Sequence, residues 1–410
     1  RVIEQLEGIA LPPSVWESSV LPARVRDYRP AMLDGLLSSG EIVWVGSKTT
    51  GSKAKEPGLV ALHPADSLLL TVQDGEKNGE APGEPVTLPD AVMAVLAPGG
   101  AYHANQLAGL TRAAWDASSE CVDESTGEIL PHPWSDSQFE EALWSLVWQG
   151  KVTNSSFDPL RSLGASSHAV KAPARASRRR VRVRVSVPAN MTGLWSAVPH
   201  ADMREERVAI ARVEALLDRY GVIAPPMIDK ERLDGGFSGL YPVLRRMEEH
   251  GALMRGMFVS GCGAAQFASR QTVDALRACA AEPSAVVLDA TDPANLYGSV
   301  IAWPRTIGGF SIRPARRSGA SVVLRGGRLL AYAVPRSHHL LLAQDADPAL
   351  QQACNELAYA LQRNLRDGGI RGGVTFCDAN DEPLTARGEW SRMLHVAGFV
   401  PVPQGMKLYC

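Results

Sequence analysis

A short pattern of apolar positions recurs along this chain. Leu33 is followed by an apolar residue three positions on and by Gly40 seven positions on, and the β-rich run Glu41-Ile42-Val43-Trp44-Val45 comes next. Leu143 to Gly150 leads in the same way into Lys151-Val152-Thr153, and Leu244 to Gly251 leads into Ala252-Leu253-Met254-Arg255-Gly256-Met257-Phe258-Val259. Apolar residues at this spacing form a stripe on one side of a helix. The glycine stops the helix, because it adopts the left-handed backbone that a helix end requires. A strand follows at once. A fourth, weaker copy runs from Met393 to Val400.

Helix, glycine, strand, turn, strand is the second half of a winged helix, a module mostly used to read or grip nucleic acid. Pro/Gly/Ser-rich breaks at 73–89, 164–178 and 281–284 divide the chain. A first winged-helix unit is expected over 1–80, with a helix at 29–39, a strand at 41–46, a return strand at 58–62 and a glycine-rich wing tip bearing Lys48, Lys53 and Lys55. A second is expected over 86–166, with helices at 89–96 and 106–115 and another opening at Ser137, which with Glu140 forms a capping box. A basic linker or strand covers 167–189. The third unit, 190–280, has helices at 204–220, 226–233 and 238–250, with Gly235-Gly236 in the tight bend that a helix-turn-helix needs. From 284 to 345 the pattern changes to period two, with strands at 285–288, 309–312, 320–324, 328–334 and 339–342 and a hairpin signal at Gly326-Gly327. This predicts a small β-barrel, closed or half-closed. A long helix at 348–366, a strand at 373–377 and the fourth copy fill 346–410. The expected fold class is α+β, tandem winged-helix modules plus a small β-barrel.

With 410 residues, 45% hydrophobic and 21% charged, the composition is that of an ordinary globular protein of several domains, able to bury cores without disulfides or metal. Six scattered cysteines with no CxxC read as reduced thiols of a cytoplasmic protein. The apolar runs are too short for a membrane span. The chain lacks an initiator Met and is expected to be part of something longer. A net charge of −2 does not advertise a nucleic-acid binder, so local distribution matters more. Residues 171–184 hold seven Lys/Arg and no acid, and alternation of Arg180, Arg182 and Arg184 with valines, following Arg178, gives a strand with one cationic face. It reads equally as a phosphate-binding face and as a solvated linker with a charge-protected edge strand.

No GxxxxGK[ST] occurs, so the chain has no phosphate-binding loop of its own and no cofactor is expected in it. No zinc signature occurs either. His338-His339 are neighbours on a strand, point to opposite faces and cannot share one ion; one exposed and one packed histidine is expected. Gly261-Cys262-Gly263 reads as a packed turn beyond a wing. Asp289 and Asp292 offer two carboxylates in a loop, suited to acid/base work or to capping turns. Trp44 and Trp303, if exposed, could stack on bases, whereas Trp144 and Trp148 share a helix face and read as core.

Long stretches of the chain resemble one family. They are VLPARVRDYRPAMLDGLLSSGEIVWVG (20–46), EEALWSLVWQGKVTN (140–154), the stretch from Arg219 to Ala268, ATDPANLYG (290–298) and GGRLLAYAVPRSHHLLL (326–342). In order, they are similar to the C-terminal region of bacterial large helicase-related (Lhr) proteins. The resemblance implies tandem winged helices and a β-barrel, similar to the AlkZ/YcaQ class of winged-helix DNA glycosylases. It also implies an N-terminal helicase core of the same polypeptide, which would use ATP and Mg. The Gln-x-Gln or Gln-x-Asp motif of the glycosylase class is absent, while Asp292-Pro293-Ala294-Asn295-Leu296 looks like its Pro-Phe-Asp-Asn-Leu phrase. The resemblance further implies uracil-DNA glycosylase activity resting on an aspartate. Asp289, Asp292, Asp378 and Asp381 are the candidates, the first pair favoured. The expected function is DNA binding for a repair helicase, on single-stranded or forked DNA, at Lys48, Lys53, Lys55, Arg178, Arg180, Arg182, Arg184, Arg245, Arg246 and Arg255. The alternative is a non-catalytic assembly module that forms a homo-oligomer. Neither reading involves a membrane, and a cytoplasmic, nucleoid-associated location is expected.

Overall fold

The computed structural model describes residues 1–47, 58–70, 87–117, 121–122, 129–130, 134–166, 188–200, 204–231, 233, 235–279, 284–344, 349–366, 372–385 and 388–409. The chain divides into two compact units, Arg1–Glu17 with Val25–Ala215, and Ser18–Arg24 with Leu216–Cys410.

The repeated phrase folds the same way four times. The helices Pro30–Ser38, Asp136–Trp148, Gly236–Glu249 and Glu389–Val396 are each followed, after one more residue, by a glycine with φ of 75°, 73°, 76° and 100°. In every copy the residue after that glycine donates its N–H five residues back: Glu41 to Leu36, Lys151 to Leu146, Ala252 to Met247 and Phe399 to Leu394. The glycine itself donates three residues back. These paired bonds satisfy carbonyls that a helix end otherwise leaves bare, and they turn the chain sharply into the next strand.

Each strand then pairs antiparallel with a return strand, and the return strand lies centrally. Gln266–Ser269 sits between Val222–Ile223 and Leu253–Gly256. Gly405–Leu408 sits between Val374–Phe376 and Val400–Val402. Leu194–Ala197 sits between Tyr102–His103 and Val152–Asn154. In the first copy Leu59–Pro64 pairs with Ile42–Ser47 and bridges to Leu11 through Val60. The second copy thus takes its return strand from residues that sequence pattern groups with the third unit.

Several tryptophans of the first unit are core. Trp44, Trp144 and Trp195 are fully buried, and Trp144 meets Trp148 and Trp195 at centroid distances of 5.4 and 5.6 Å. Trp44 is therefore not an exposed base-stacking surface: it occupies the inward register of its strand, and its indole N–H donates to the Ser156 carbonyl at 3.2 Å. The helix Asp136–Trp148 is capped by Ser135, which accepts from the Gln138 N–H at 3.1 Å, so the cap lies two residues earlier than the Ser137 expected. Arg161 gathers Glu17, Asp34 and Asp158 at 2.7, 2.9 and 2.7 Å, tying the first copy's helix to Asp158–Ser166.

In the second unit the β-region is a six-stranded sheet in the order Ala285–Asp289, Ser321–Arg325, Arg328–Val334, His339–Leu342, Asp378–Ala379, Glu382–Pro383. It is an open sheet with no closed barrel among the described residues. The strand expected at 309–312 is instead a run of bends in which Ser311 donates to Asp381, so nothing there joins the sheet's edges. The helix Leu350–Arg366 covers one face, burying Leu350, Leu357 and Leu361 with Tyr332, Leu340 and Phe376 in a continuous core. Gly326 and Gly327, at φ 54° and 79°, make the two-residue hairpin. Among the described residues no helix is long and apolar enough to cross a membrane.

The space beside Gly251 is open, so Gly251→Ala tests the backbone alone. The left-handed conformation should then cost about 1–2 kcal/mol in urea unfolding. Gly251→Asn should cost less, since asparagine tolerates that region.

Candidate nucleic-acid interface

The third winged helix is the most completely described. Its helices Pro225–Glu231 and Gly236–Glu249 form the helix-turn-helix, with Gly235 left-handed at φ 73° in the bend. Leu240 and Leu244 face the core, and Tyr241 meets Phe267 edge-on at 6.2 Å. Ser238, Pro242, Arg245, Arg246 and Glu249 are exposed on the other side. Arg245 pairs with Glu249 at 2.9 Å, an exposed contact four residues apart that leaves the guanidinium hydrated. Arg255 is exposed on the wing strand, its guanidinium 6.0 Å from the Phe267 ring centroid. Arg245, Arg246 and Arg255 are therefore placed on one module. Lys48, Lys53 and Lys55 lie outside the described residues, as do Arg178, Arg180, Arg182 and Arg184.

The wing loop between the paired residues Gly256 and Gln266 is held from beneath. Gln266 is fully buried and its amide makes four hydrogen bonds. Its oxygen accepts from the N–H groups of Phe258 and Val259 at 2.9 and 2.8 Å, and its nitrogen donates to the carbonyls of Val259 and Gly263 at 2.8 and 2.6 Å. That is the full capacity of a carboxamide. Cys262 tucks under the loop against Ala224 and Met227, and burial raises its thiol pKa, so it is a packed side chain rather than a nucleophile.

The 289–297 loop lies in the same unit. Asp292 is buried, and Arg24 holds it with two bonds, Nη1 to Oδ2 at 2.8 Å and Nη2 to Oδ1 at 2.7 Å. The Ala294 N–H adds a third at 2.8 Å. Asp289 accepts from the Thr291 N–H and hydroxyl at 2.8 and 2.6 Å and from the Gly319 N–H at 2.9 Å. Buried Asn295 donates to the Ala290 carbonyl at 2.9 Å, and Arg316 donates to the carbonyls of Thr291, Asp292, Asn295 and Tyr297. Lys230, from the helix-turn-helix, reaches the Pro293 carbonyl at 3.4 Å and lies over the Tyr220 ring at 5.2 Å. Burial, with the charge of Arg316 second, lowers its pKa to about 8. Asp289 and Asp292 thus act as loop-shaping acceptors whose oxygens are already engaged.

The other two carboxylates sit elsewhere in the sheet. His339 and Asp378 are register partners on parallel strands, and the His339 Nδ1–H donates to Asp378 at 2.7 Å. Asp381 is exposed and bonded to Ser311, which lowers its pKa. His338, exposed, donates instead to the Thr375 carbonyl at 2.8 Å, so the two histidines face different partners. Trp303 is half-buried, stacked on Tyr297 at 6.2 Å and edge-on to Tyr332 at 5.6 Å, because Gly298 leaves room for its ring. It is packed rather than presented to a base. Sequence reading passed over Arg24, Lys230, Gln266 and Arg316. Gln266 did carry a signal, a lone amide opening the short strand Gln-Phe-Ala-Ser.

Arg24→Ala strands a carboxylate that is 1% exposed, and should cost about 3–5 kcal/mol in thermal unfolding. Adding Asp292→Asn should recover part of that loss. Because folding depresses the Lys230 pKa, the unfolded chain binds the extra proton between about pH 8 and its ordinary pKa of about 10.4. Stability should therefore gain with rising pH across that window, and Lys230→Met should remove this component of the pH profile.

A family model described as "Large helicase-related protein, winged-helix domain" matches residues 202–287, and another of the same description matches residues 1–65. The chain is 37% identical over 429 residues to the "Lhr helicase/uracil glycosylase" of Escherichia coli, an alignment covering 99% of this chain and 26% of that protein. It is 38% identical over 370 residues to the "Lhr helicase/ probable uracil glycosylase" of Mycolicibacterium smegmatis, covering 86% of this chain and 22% of that protein. The chain thus spans about a quarter of the length of these relatives. Among solved structures, the Streptomyces sahachiroi DNA glycosylase AlkZ aligns with a TM-score of 0.47 at 15% identity, covering 87% of this chain and 89% of that one. The chain is related over nearly its whole length to the large helicase-related (Lhr) proteins and carries two of that family's winged-helix domains.

Proposed function

We propose that this chain is a DNA-gripping region of a repair helicase, and that it holds single-stranded or forked DNA through the outward faces of its winged helices. The observation that carries the reading is the third winged helix, whose second helix of the helix-turn-helix and whose wing both keep arginines exposed. A helix in that position, flanked by a wing, is the arrangement with which such modules address a duplex groove or a backbone. Among the described residues of that helix and wing strand, Arg245, Arg246 and Arg255 face outward beside Glu249, and Arg245 is already paired with it, so the grip is modest and tolerant of sequence. The lysines at 48, 53 and 55 and the arginines at 178, 180, 182 and 184 extend the same reading to the rest of the chain.

The names of the relatives favour a second reading beside the first, that the region removes uracil from DNA. In it Asp289 and Asp292 belong to the active region as the groups that fix the loop they stand in, with Arg24 and Arg316 as their partners. An assembly role is the competing outcome.

Fluorescence-anisotropy titrations of a forked oligonucleotide at several salt concentrations test the grip. Replacing Arg245, Arg246 and Arg255 together by Ala should weaken binding on every sequence. It should also flatten the log–log salt dependence by about 2, at roughly 0.7 per phosphate contact on single strands. Undetectable binding at low salt, together with a stable oligomer in light scattering, would favour the assembly role. Uracil-containing DNA that yields no alkali-labile product at high protein concentration would refute the second reading for this region.

A further inference from the structure

The wing of the third winged helix carries a side chain that the phosphate grip does not use. Met257 is 82% exposed, the most exposed large apolar residue among those described. A single exposed methionine is ordinary on a protein surface. This one differs in how it is mounted. It follows directly on the strand Leu253–Gly256, and the next two residues have their N–H groups fixed by the buried Gln266 amide. Phe258 turns inward to pack with Val222, Ala268 and Val273, and Val259 and Cys262 pack beneath the loop. The loop packs Phe258, Val259 and Cys262 against the core and leaves Met257, its remaining large apolar side chain, at solvent. Two residues before it, Arg255 is exposed on the wing strand.

From this we infer that Met257 is a wedge that enters the base stack at a junction of duplex and single strand, while Arg255 neutralises a flanking phosphate. The inference rests on the DNA-gripping reading and adds to it a place and a mode of contact. An unbranched thioether slides between bases more readily than a branched side chain, and apolar wedges of this kind separate base steps at the expense of stacking. That expense is recovered only if the wedge cannot fold back, and the Gln266 clamp prevents its platform from doing so. Because Met257 adds no charge, it contributes to base separation without changing the salt dependence of binding.

The test uses the whole chain and a forked DNA with 2-aminopurine at the last base pair before the fork. Binding is followed by anisotropy and unstacking by 2-aminopurine emission on the same sample. Wild type should bind and raise the emission. Met257→Ala should bind with a similar affinity and salt slope but lose the rise, and Met257→Phe should restore it. A rise of equal size with Met257→Ala, or saturated binding by wild type without any rise, overturns the wedge and leaves the grip standing. No binding by wild type overturns both.

Discussion

The second unit depends on one buried carboxylate. Asp292 is out of contact with water, so its charge is tolerated only because Arg24 meets it with both terminal nitrogens and a backbone N–H completes the set. Arg24 comes from the distant Ser18–Arg24 segment, which belongs to this unit, and the N–H comes from the loop itself. Arg316 gathers four carbonyls of the same loop, and Lys230 brings in the helix-turn-helix. The loop's backbone is thus shaped by charge–dipole contacts rather than by a ladder, with Arg24, Arg316 and Lys230 gathered around it. The Arg161 cluster does the converse in the first unit, where one cation holds three carboxylates.

Around these hubs the chain reuses one helix–glycine–strand device four times and varies what it shows to solvent. The device fixes only the turn out of the helix and the central position of the return strand. The second copy fills its surroundings with tryptophans, and the third keeps arginines outward with a glutamate among them. One fold element therefore serves packing in one place and keeps arginines at the surface in another. A repeat in the sequence is evidence of architecture and not of repeated function.

Much of this was legible from the sequence, for a physical reason. The helix ends are local, since a stripe of apolar residues, a glycine and a β-rich run lie within a dozen positions, and all four copies formed. The Gly326-Gly327 hairpin was legible on the same grounds. The barrel was not, because closure depends on whether 309–312 pairs with a distant edge, and Ser311 is held by Asp381 instead. Trp44 misled because alternation gives two faces without saying which is covered, and its neighbour across the unit is 112 residues away. The Arg24–Asp292 pair spans 268 residues and leaves no periodic trace at either end.

The clamp beneath the third wing has a consequence for how that surface can change over time. Gln266 reaches main-chain atoms only, so the hairpin's form does not depend on which side chains its outer rim carries. The rim can exchange one chemistry for another, apolar for basic or aromatic for polar, with no compensating change underneath. Shape is inherited through the buried amide, while the chemistry of the tip is left free to drift.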